Sequence, residues 1–264
     1  MPTDLLLLIV FGGIAGVMAG LLGIGGGLLI VPVLAILFER QGISRDVLLQ
    51  SAIGTSLATI MFTSLSSTLA HHRRNAVQWN LFRRFVPGIL IGGLVGAAIA
   101  DFLPGRVLHY VVAVAILSVA VQFGFMPRTA PAQRPLPGRA ALLSASGVIG
   151  ALSTLVGIGG GSLTVPYLTW CSVPVKQAIA TAAAIGFPIA VAGTVGYVIG
   201  GLNETGLPPY SVGYVVLPAF IGIVVASVLA APLGARLAHR LSDTTLRRLF
   251  AAFLALLGIR MLFG

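Results

Sequence analysis

A glycine-rich segment occurs twice in this chain of 264 residues, and its composition could bind an anion. The segment Gly-Ile-Gly-Gly-Gly-Leu-Leu-Ile-Val-Pro at 23–32 returns as Gly-Ile-Gly-Gly-Gly-Ser-Leu-Thr-Val-Pro at 157–166, 134 residues later. Four glycines within five residues will not hold a helix, but an apolar stretch follows each copy. Because the N–H groups at a helix N-terminus attract anions, each copy predicts a helix start that faces an anion.

The candidate substrate-binding residues are glycines of the two copies and hydroxyl side chains on or near them. Hydroxyl groups could donate to an anion, although Ser and Thr in apolar helices more often bond to their own backbone. Only the second copy carries hydroxyls of its own, and the others lie in later apolar stretches. The predicted set is Gly25, Gly26, Gly27, Gly159, Gly160, Gly161, Ser162, Thr164, Thr55, Ser56 and Thr181.

Tight helix packing is the alternative interpretation of these glycines, because small residues four apart let helices approach closely. We assign Gly12, Gly16 and Gly20, like Gly92 and Gly96, to packing on that spacing. The two glycine-rich copies are longer and occur at matching places in the two halves of the chain. Their length and symmetry favour a functional role.

The sequence offers little support for nucleotide or metal chemistry, or for an enzyme. Neither copy has the lysine of a Walker A loop, and Leu28 and Ser162 occupy the place of the last glycine of a dinucleotide fingerprint. The single Cys171 and the scattered histidines form no metal-ligand pattern. The apolar stretches contain no evident nucleophile or paired acids. We therefore expect no catalytic residue, no cofactor and no metal.

The composition indicates an integral membrane protein. Hydrophobic residues make up 57% of the chain and charged residues only 8%, whereas soluble domains have roughly 25% charged residues. The net charge of +10 comes from short basic runs between apolar segments, which is typical of loops on the cytoplasmic side of a membrane. The expected surroundings are a lipid bilayer and not nucleic acid. The sequence leaves open both a monomer and a homo-oligomer.

Apolar stretches follow the same series in each half. They cover 5–22, 27–38, 47–69, 85–102 and 105–125, then 140–156, 161–172, 178–200, 212–233 and 245–263. A Pro- and Arg-rich segment without apolar periodicity separates the halves. We predict a first transmembrane repeat at 1–124, a cytoplasmic linker at 125–138 and a second repeat at 139–264.

Two topologies fit these stretches, and the basic residues favour one. If the first two stretches of each half form one broken span, seven basic residues lie on one side and eight on the other. If they form a hairpin that returns to its own side, the linker side collects twelve and the opposite side three. The second split follows the positive-inside rule. It predicts that the loop at 71–84 is cytoplasmic, and that the loop at 200–211 and both termini are outside.

The hairpin topology gives each half an odd number of net crossings, so the second half inserts upside down. The predicted fold is therefore an all-α polytopic membrane protein with two inverted repeats. Each repeat is a Gly-broken helical hairpin plus three transmembrane helices, about ten helical segments in total. Inverted repeats with interrupted helices are the architecture of secondary transporters, which bind substrate near the membrane midplane.

The repeated Gly-Ile-Gly-Gly-Gly-x-x-x-Val-Pro, with Ala-Ile-Gly-Thr-Ser at 52–56, resembles the sulfite exporter TauE/SafE family. The resemblance covers essentially the whole chain. It implies a permease of the bacterial inner membrane for sulfite, sulfoacetate and related organosulfur anions. The second half departs from the pattern, because Gly-Phe-Pro at 186–188 replaces the Gly-Thr-Ser at 54–56.

The leading functional hypothesis is a secondary transporter that exports a small sulfur-containing anion bound at the two glycine-rich breaks. A passive anion channel is an alternative that the sequence does not separate from a carrier. A membrane scaffold without transport is a further alternative.

Overall fold

The computed structural model of the protein describes residues 2–22, 25–125, 136–237 and 243–263. Gly23, Ile24 and most of the predicted linker, at 126–135, lie outside the described residues. The boundaries of the two predicted repeats and the cytoplasmic location of the linker stay predictions.

Ten α-helices form within the described ranges, and the all-α prediction is confirmed. The helices are α1 Pro2–Leu22, α2 Gly27–Arg40, α3 Arg45–His72, α4 Trp79–Phe102, α5 Gly105–Phe125, α6 Arg139–Val156, α7 Gly161–Trp170, α8 Val175–Gly200, α9 Leu217–Leu237 and α10 Asp243–Phe263. A two-stranded antiparallel hairpin, β1 Ser211–Val212 and β2 Val215–Val216, follows a 3-10 turn at Gly201–Asn203.

Helix length separates full spans from short helices. Six helices in the described ranges are long and apolar enough to cross a membrane. The helices that follow the glycine-rich breaks have only 14 residues in α2 and 10 in α7. At 1.5 Å per residue they reach about 21 and 15 Å, short of the ~30 Å apolar core of a bilayer. Each contains an internal proline, Pro32 or Pro166.

Corresponding helices of the two halves run in opposite directions. Between α3 and α8, Gly54 lies against Tyr197 and Gly186 against Ser64, so residue numbers rise along one helix as they fall along the other. The same order holds between α5 and α10, where Gly124 faces Ala251 and Gly258 faces Leu117. Inverted repeats require that the third helix of one half runs antiparallel to the third helix of the other half, and the fifth helix antiparallel to the fifth. The broken-span topology would make α3 and α8 parallel, and it is wrong.

The two halves are interwoven, because the first helix of each packs on the fourth helix of the other. Gly16 on α1 lies against the backbone of Ser227 on α9, and Gly96 on α4 against the backbone of Ala151 on α6. A methyl group added at Gly12 would lie 2.8 Å from the carbonyl oxygen of Ile223. Gly20 and Gly92 are even closer to the facing backbone. The packing role predicted for these glycines is confirmed.

Contacts between loops define two ends of the molecule. We call one end the basic end, because it carries the arginines of residues 73–84. There the Gln78 side chain donates to Gln177 (2.9 Å) and Arg74 donates to the carbonyl of Ala235 (3.4 Å). These bonds join the α3–α4 loop to the start of α8 and to the end of α9. We call the opposite end the hairpin end, because the β-hairpin at 211–216 lies there against α3. At this end Gln50 of α3 donates to the carbonyl of Leu103 (3.4 Å), which joins α3 to the α4–α5 loop. The predicted linker-side loops that the structure describes therefore share one end.

Three local expectations differ from the structure. The predicted stretch at 212–233 begins as the β-hairpin, and α9 starts only at Leu217 with Pro218 in its first turn, where a proline is tolerated. Helix α4 starts at Trp79, six residues before the apolar stretch, so its first turns carry basic residues. His71, which the sequence places in the loop at 71–84, lies instead in α3, where it is 3% exposed and its Nε2 lies 3.0 Å from the carbonyl oxygen of Gly20.

Candidate anion-binding site

The two glycine-rich breaks meet inside the protein beside the middle of α3. A methyl group added at Gly25 would lie 3.1 Å from the Cα of Gly159 and 2.9 Å from the Ile60 side chain. Gly27 lies directly against the carbonyl of Gly157. Ser56 of α3 donates to that same carbonyl at 3.1 Å. Most of the predicted site residues are therefore gathered at one place by contacts between the two halves.

Backbone conformation explains the glycines of the first break. Gly25 has φ of 75° and Gly26 has φ of 82°, a left-handed region that side chains rarely adopt. In the second break only Gly157 is in this region, with φ of 73°, whereas Gly160 is right-handed with φ of −56°. Positive φ therefore does not exclude a side chain at Gly160. Space limits that position instead, because an added methyl would lie 3.1 Å from Ile189.

The N-termini of both short helices are buried and lack a side-chain cap. Helix α2 follows Gly26 and helix α7 follows Gly160, and neither glycine can supply the hydroxyl or carboxylate that usually caps a helix start. The surrounding residues at 25–30 and 158–162 are buried. Two helix N-termini thus bring partial positive charge to one buried region. That charge could stabilise a small anion.

Hydroxyl groups border the second break. Ser162 and Thr164 are 1% and 0% exposed, and the Oγ1 of Thr164 has no hydrogen-bond partner among the described residues. The first copy has no equivalent hydroxyls, so the site is chemically asymmetric. Within the part of the chain whose burial is described, the buried polar side chains include no Asp, Glu, Lys or Arg.

Thr55 and Thr181 use their hydroxyl groups to hold loops. The Oγ1 of Thr55 accepts the N–H of Val216 at 2.9 Å, just before α9 begins. The Oγ1 of Thr181 accepts the N–H of Gln78 at 3.0 Å, just before α4 begins. Each half therefore ties the start of its fourth helix to the third helix of the other half. Neither of these hydrogen bonds brings its hydroxyl group to the glycine-rich breaks.

Sequence reasoning missed Ser153 and Thr154, the last hydroxyl residues of α6 before the break. Their side-chain oxygens are buried and have no hydrogen-bond partner among the described residues. Their carbonyls accept the N–H groups of Ile158 (2.8 Å) and Gly157 (3.2 Å), which fixes the turn into the break. A comparison of the repeats could have found them. The first half has Ala19 and Gly20 at the equivalent positions, so the two hydroxyls distinguish the second half.

The hairpin end is covered by the β-hairpin. Tyr214 and Val216 are buried at 2% and 5% exposure, and the N–H of Tyr214 donates to the carbonyl of Tyr197 at 3.2 Å. Burial raises the pKa of Tyr214, and the nearby acids Asp101 and Glu204 raise it further. The phenol therefore stays protonated at neutral pH and can donate to Asp101. Tertiary contacts thus hold the β-hairpin against this end of the molecule.

An open cleft of about 680 Å³ lies at the basic end. Its walls come from residues 78–84, just before and at the start of α4, and from residues 171–177, in the α7–α8 loop and the first turn of α8. Leu136 adds to them. Helices α7 and α8 run from this cleft toward the second break, where Gly186 of α8 lies beside Gly160. One end is thus open and the other covered.

Comparison with known proteins decides the family. The model of the family described as Sulfite exporter TauE/SafE matches residues 8–261. The chain belongs to the TauE/SafE family. This assignment confirms the resemblance found in the glycine-rich segments. With its six candidate spans, this TauE/SafE protein is a multi-pass membrane protein of a transporter family.

Relatives of this TauE/SafE chain are similar over most of their length. A "Probable membrane transporter protein" of Haemophilus influenzae is 32% identical over 262 residues, covering 99% of each chain. A probable membrane transporter protein of Methanocaldococcus jannaschii is 26% identical, covering 97% of this chain and 94% of the relative. The probable membrane transporter protein YunE of Bacillus subtilis is 31% identical over 74% of this chain and 78% of its own length. No solved structure matches the chain.

Proposed function

We propose that this protein is a secondary transporter that exports a small sulfur-containing anion, such as sulfite or sulfoacetate, across the bacterial inner membrane. The observation that carries the proposal is the meeting of the two breaks, one from each inverted repeat, beside the middle of α3. Two buried helix N-termini there offer N–H groups to an anion without requiring a buried Arg or Lys.

The substrate chemistry rests on family membership together with this electrostatic argument. The family description names sulfite export, and the site offers hydrogen-bond donors and positive potential. Sulfite, sulfonate and sulfate groups accept several hydrogen bonds from such donors. Neither catalysis nor a cofactor is needed for this role.

A carrier is favoured over a passive channel by the difference between the two ends. The β-hairpin covers one end through Thr55 and Tyr197, while the cleft at the basic end is open. A carrier exposes its site to one side at a time, whereas an open channel needs a continuous path. If the basic end is cytoplasmic, the cleft faces the compartment from which an exported anion would come.

The test is an uptake screen with protein reconstituted into liposomes. Sulfite, sulfoacetate, taurine and sulfate are offered separately, with protein-free liposomes as the control. We expect saturable accumulation of at least one of the anionic compounds, and little of taurine, which is zwitterionic. If none of the four is bound or moved by folded protein, the substrate assignment is wrong. Conductance without saturation would support the channel instead.

A further inference from the structure

The cleft at the basic end has the chemistry of a binding site that is separate from the glycine-rich breaks. Among the described residues that line it, Arg84 is the single charged side chain and none is an acid. Asn80, Gln78 and Gln177 add amide groups to the walls. An arginine next to several amides, without a competing carboxylate, is suited to an anionic oxygen group.

Most of the other described lining residues, Ser172 excepted, have apolar side chains. Leu81 comes from α4, Val173 and Pro174 come from the α7–α8 loop, and Leu136 comes from the described end of the linker. At about 680 Å³ the cleft is within the usual size range of ligand pockets and is far larger than an inorganic oxyanion needs. Its lining therefore fits an anion that also carries a short apolar group.

We propose that this cleft is an entrance binding site for a small organic anion, with Arg84 as the residue that recognises the anionic group. The apolar wall then selects for a short hydrocarbon part. The inference rests on the proposed transport function and adds to it a second binding position, outside the glycine-rich breaks. From Gln177 to Gly186, α8 rises about 14 Å, so the cleft and the breaks are two successive positions along one helix.

Contacts across the cleft link it to the rest of the protein. Gln78 joins its two walls, because its side chain donates to Gln177 (2.9 Å) and its backbone N–H donates to Thr181 (3.0 Å). An anion that draws these amides toward Arg84 would pull on the starts of both α4 and α8. Binding in the cleft would thereby act on α8, whose Gly186 lies beside Gly160 in the second break.

The experiment uses a series of alkanesulfonates with one to four carbons, which keeps the charge constant while the apolar part grows. The two tryptophans, Trp79 and Trp170, each adjoin a lining residue in the sequence, so their fluorescence should report binding in the cleft. We expect affinity for the full-length protein to rise by up to about fourfold per added methylene. An affinity independent of chain length would overturn the proposed selection for an organic anion.

Two neighbouring arginines supply the matched variants. Arg84→Gln should weaken binding about tenfold or more, because a charge-assisted hydrogen bond is lost. Arg84→Lys should restore most of the affinity, and Arg83→Gln, which removes the same charge outside the lining, should change it less than about threefold. Equal losses in Arg84→Gln and Arg83→Gln would overturn the role of Arg84. If the parent protein binds alkanesulfonates but moves none in liposomes, the transport function fails and the cleft stands.

Discussion

Single glycines in the breaks have two different physical reasons, and these reasons predict different mutant phenotypes. Gly26 needs a left-handed backbone, with φ of 82°, so any side chain there costs stability. Gly160 is right-handed, with φ of −56°, and needs only space beside Ile189 and Ala182. Gly26→Val is therefore expected to lower both stability and anion affinity, and only Gly160 offers a clean test of binding.

We predict that Gly160→Ala lowers anion affinity about tenfold, because its methyl group crowds Ala182 and Gly186 of α8 beside the break. The melting temperature in detergent should fall less than in Gly26→Val, because no positive φ is involved. Gly160→Val should remove binding altogether. Calorimetric titration and thermal unfolding of the same preparations measure both quantities.

Gly92→Ala is the control, since Gly92 lies directly against the Gly147 backbone and away from the breaks. It should lower the melting temperature without changing affinity per folded molecule. Unchanged affinity in folded Gly160→Ala and Gly160→Val would mean that the breaks are structural.

A milder effect is expected from removing one hydroxyl. Ser162→Ala should weaken anion binding by about 0.5–1.5 kcal/mol, the usual worth of one hydrogen bond. Ser144→Ala is the matched control, because Ser144 is exposed on α6 and bonds only to its own helix at the Ala141 carbonyl. The same loss of affinity in both variants would exclude a direct contact between Ser162 and the anion.

At the scale of elements, the short helices that follow the two breaks share a proline at the same position. Pro32 and Pro166 are each the sixth residue of their helix. Proline has no N–H, so the carbonyls of Leu28 and Ser162 lose their usual partner four residues later. The breaks and the first turns after them are therefore regions of incomplete backbone bonding, which a membrane protein tolerates only away from lipid.

The β-hairpin is held over its end of the molecule by a bond that can be removed. Thr55→Val deletes the acceptor of the Val216 N–H, and a buried unsatisfied N–H costs about 1–3 kcal/mol. We expect faster hydrogen exchange at residues 211–216 in this variant, measured by mass spectrometry.

Thr59→Val on the same helix is the control, because the Thr59 hydroxyl bonds only to the carbonyl of Thr55 within α3. It should leave exchange in the hairpin unchanged. Unaltered exchange in Thr55→Val would contradict the proposed closure of this end.

At the scale of the whole molecule, the orientation in the membrane follows from the gathering of basic residues at one end. We predict that single cysteines at Asn80 and Asn203, introduced into Cys171→Ser protein, react with membrane-impermeant thiol reagents from opposite faces. Both positions are exposed and lie at the basic and hairpin ends respectively. Asn75 suits this test less well, because its φ of 53° disfavours cysteine.

Intact cells and inverted membrane vesicles provide the two accessible faces for this labelling. The cysteine at Asn203 should label in cells and the cysteine at Asn80 in vesicles. Labelling of both from one face would contradict the crossing pattern described by the helix directions.

The sequence by itself determined the membrane class, the ten helical segments and the duplicated breaks. These features are local, because a run of glycines, a stretch of apolar residues or a basic loop acts through its own composition. The helix starts at Gly27 and Gly161 agree with the apolar stretches to the residue. The distribution of basic residues also favours the inverted topology, independently of the helix directions.

Only the tertiary structure decided which residues share a place. It brought Gly25 to Gly159 and Ser56 to the Gly157 carbonyl, across more than a hundred residues of chain. In the structure the hydroxyls of Thr55 and Thr181 accept hydrogen bonds from the segments just before α9 and α4, and not from the breaks. These outcomes depend on how helix surfaces fit one another, and a hydroxyl in an apolar helix has the same local pattern whether its partner is a loop or an anion.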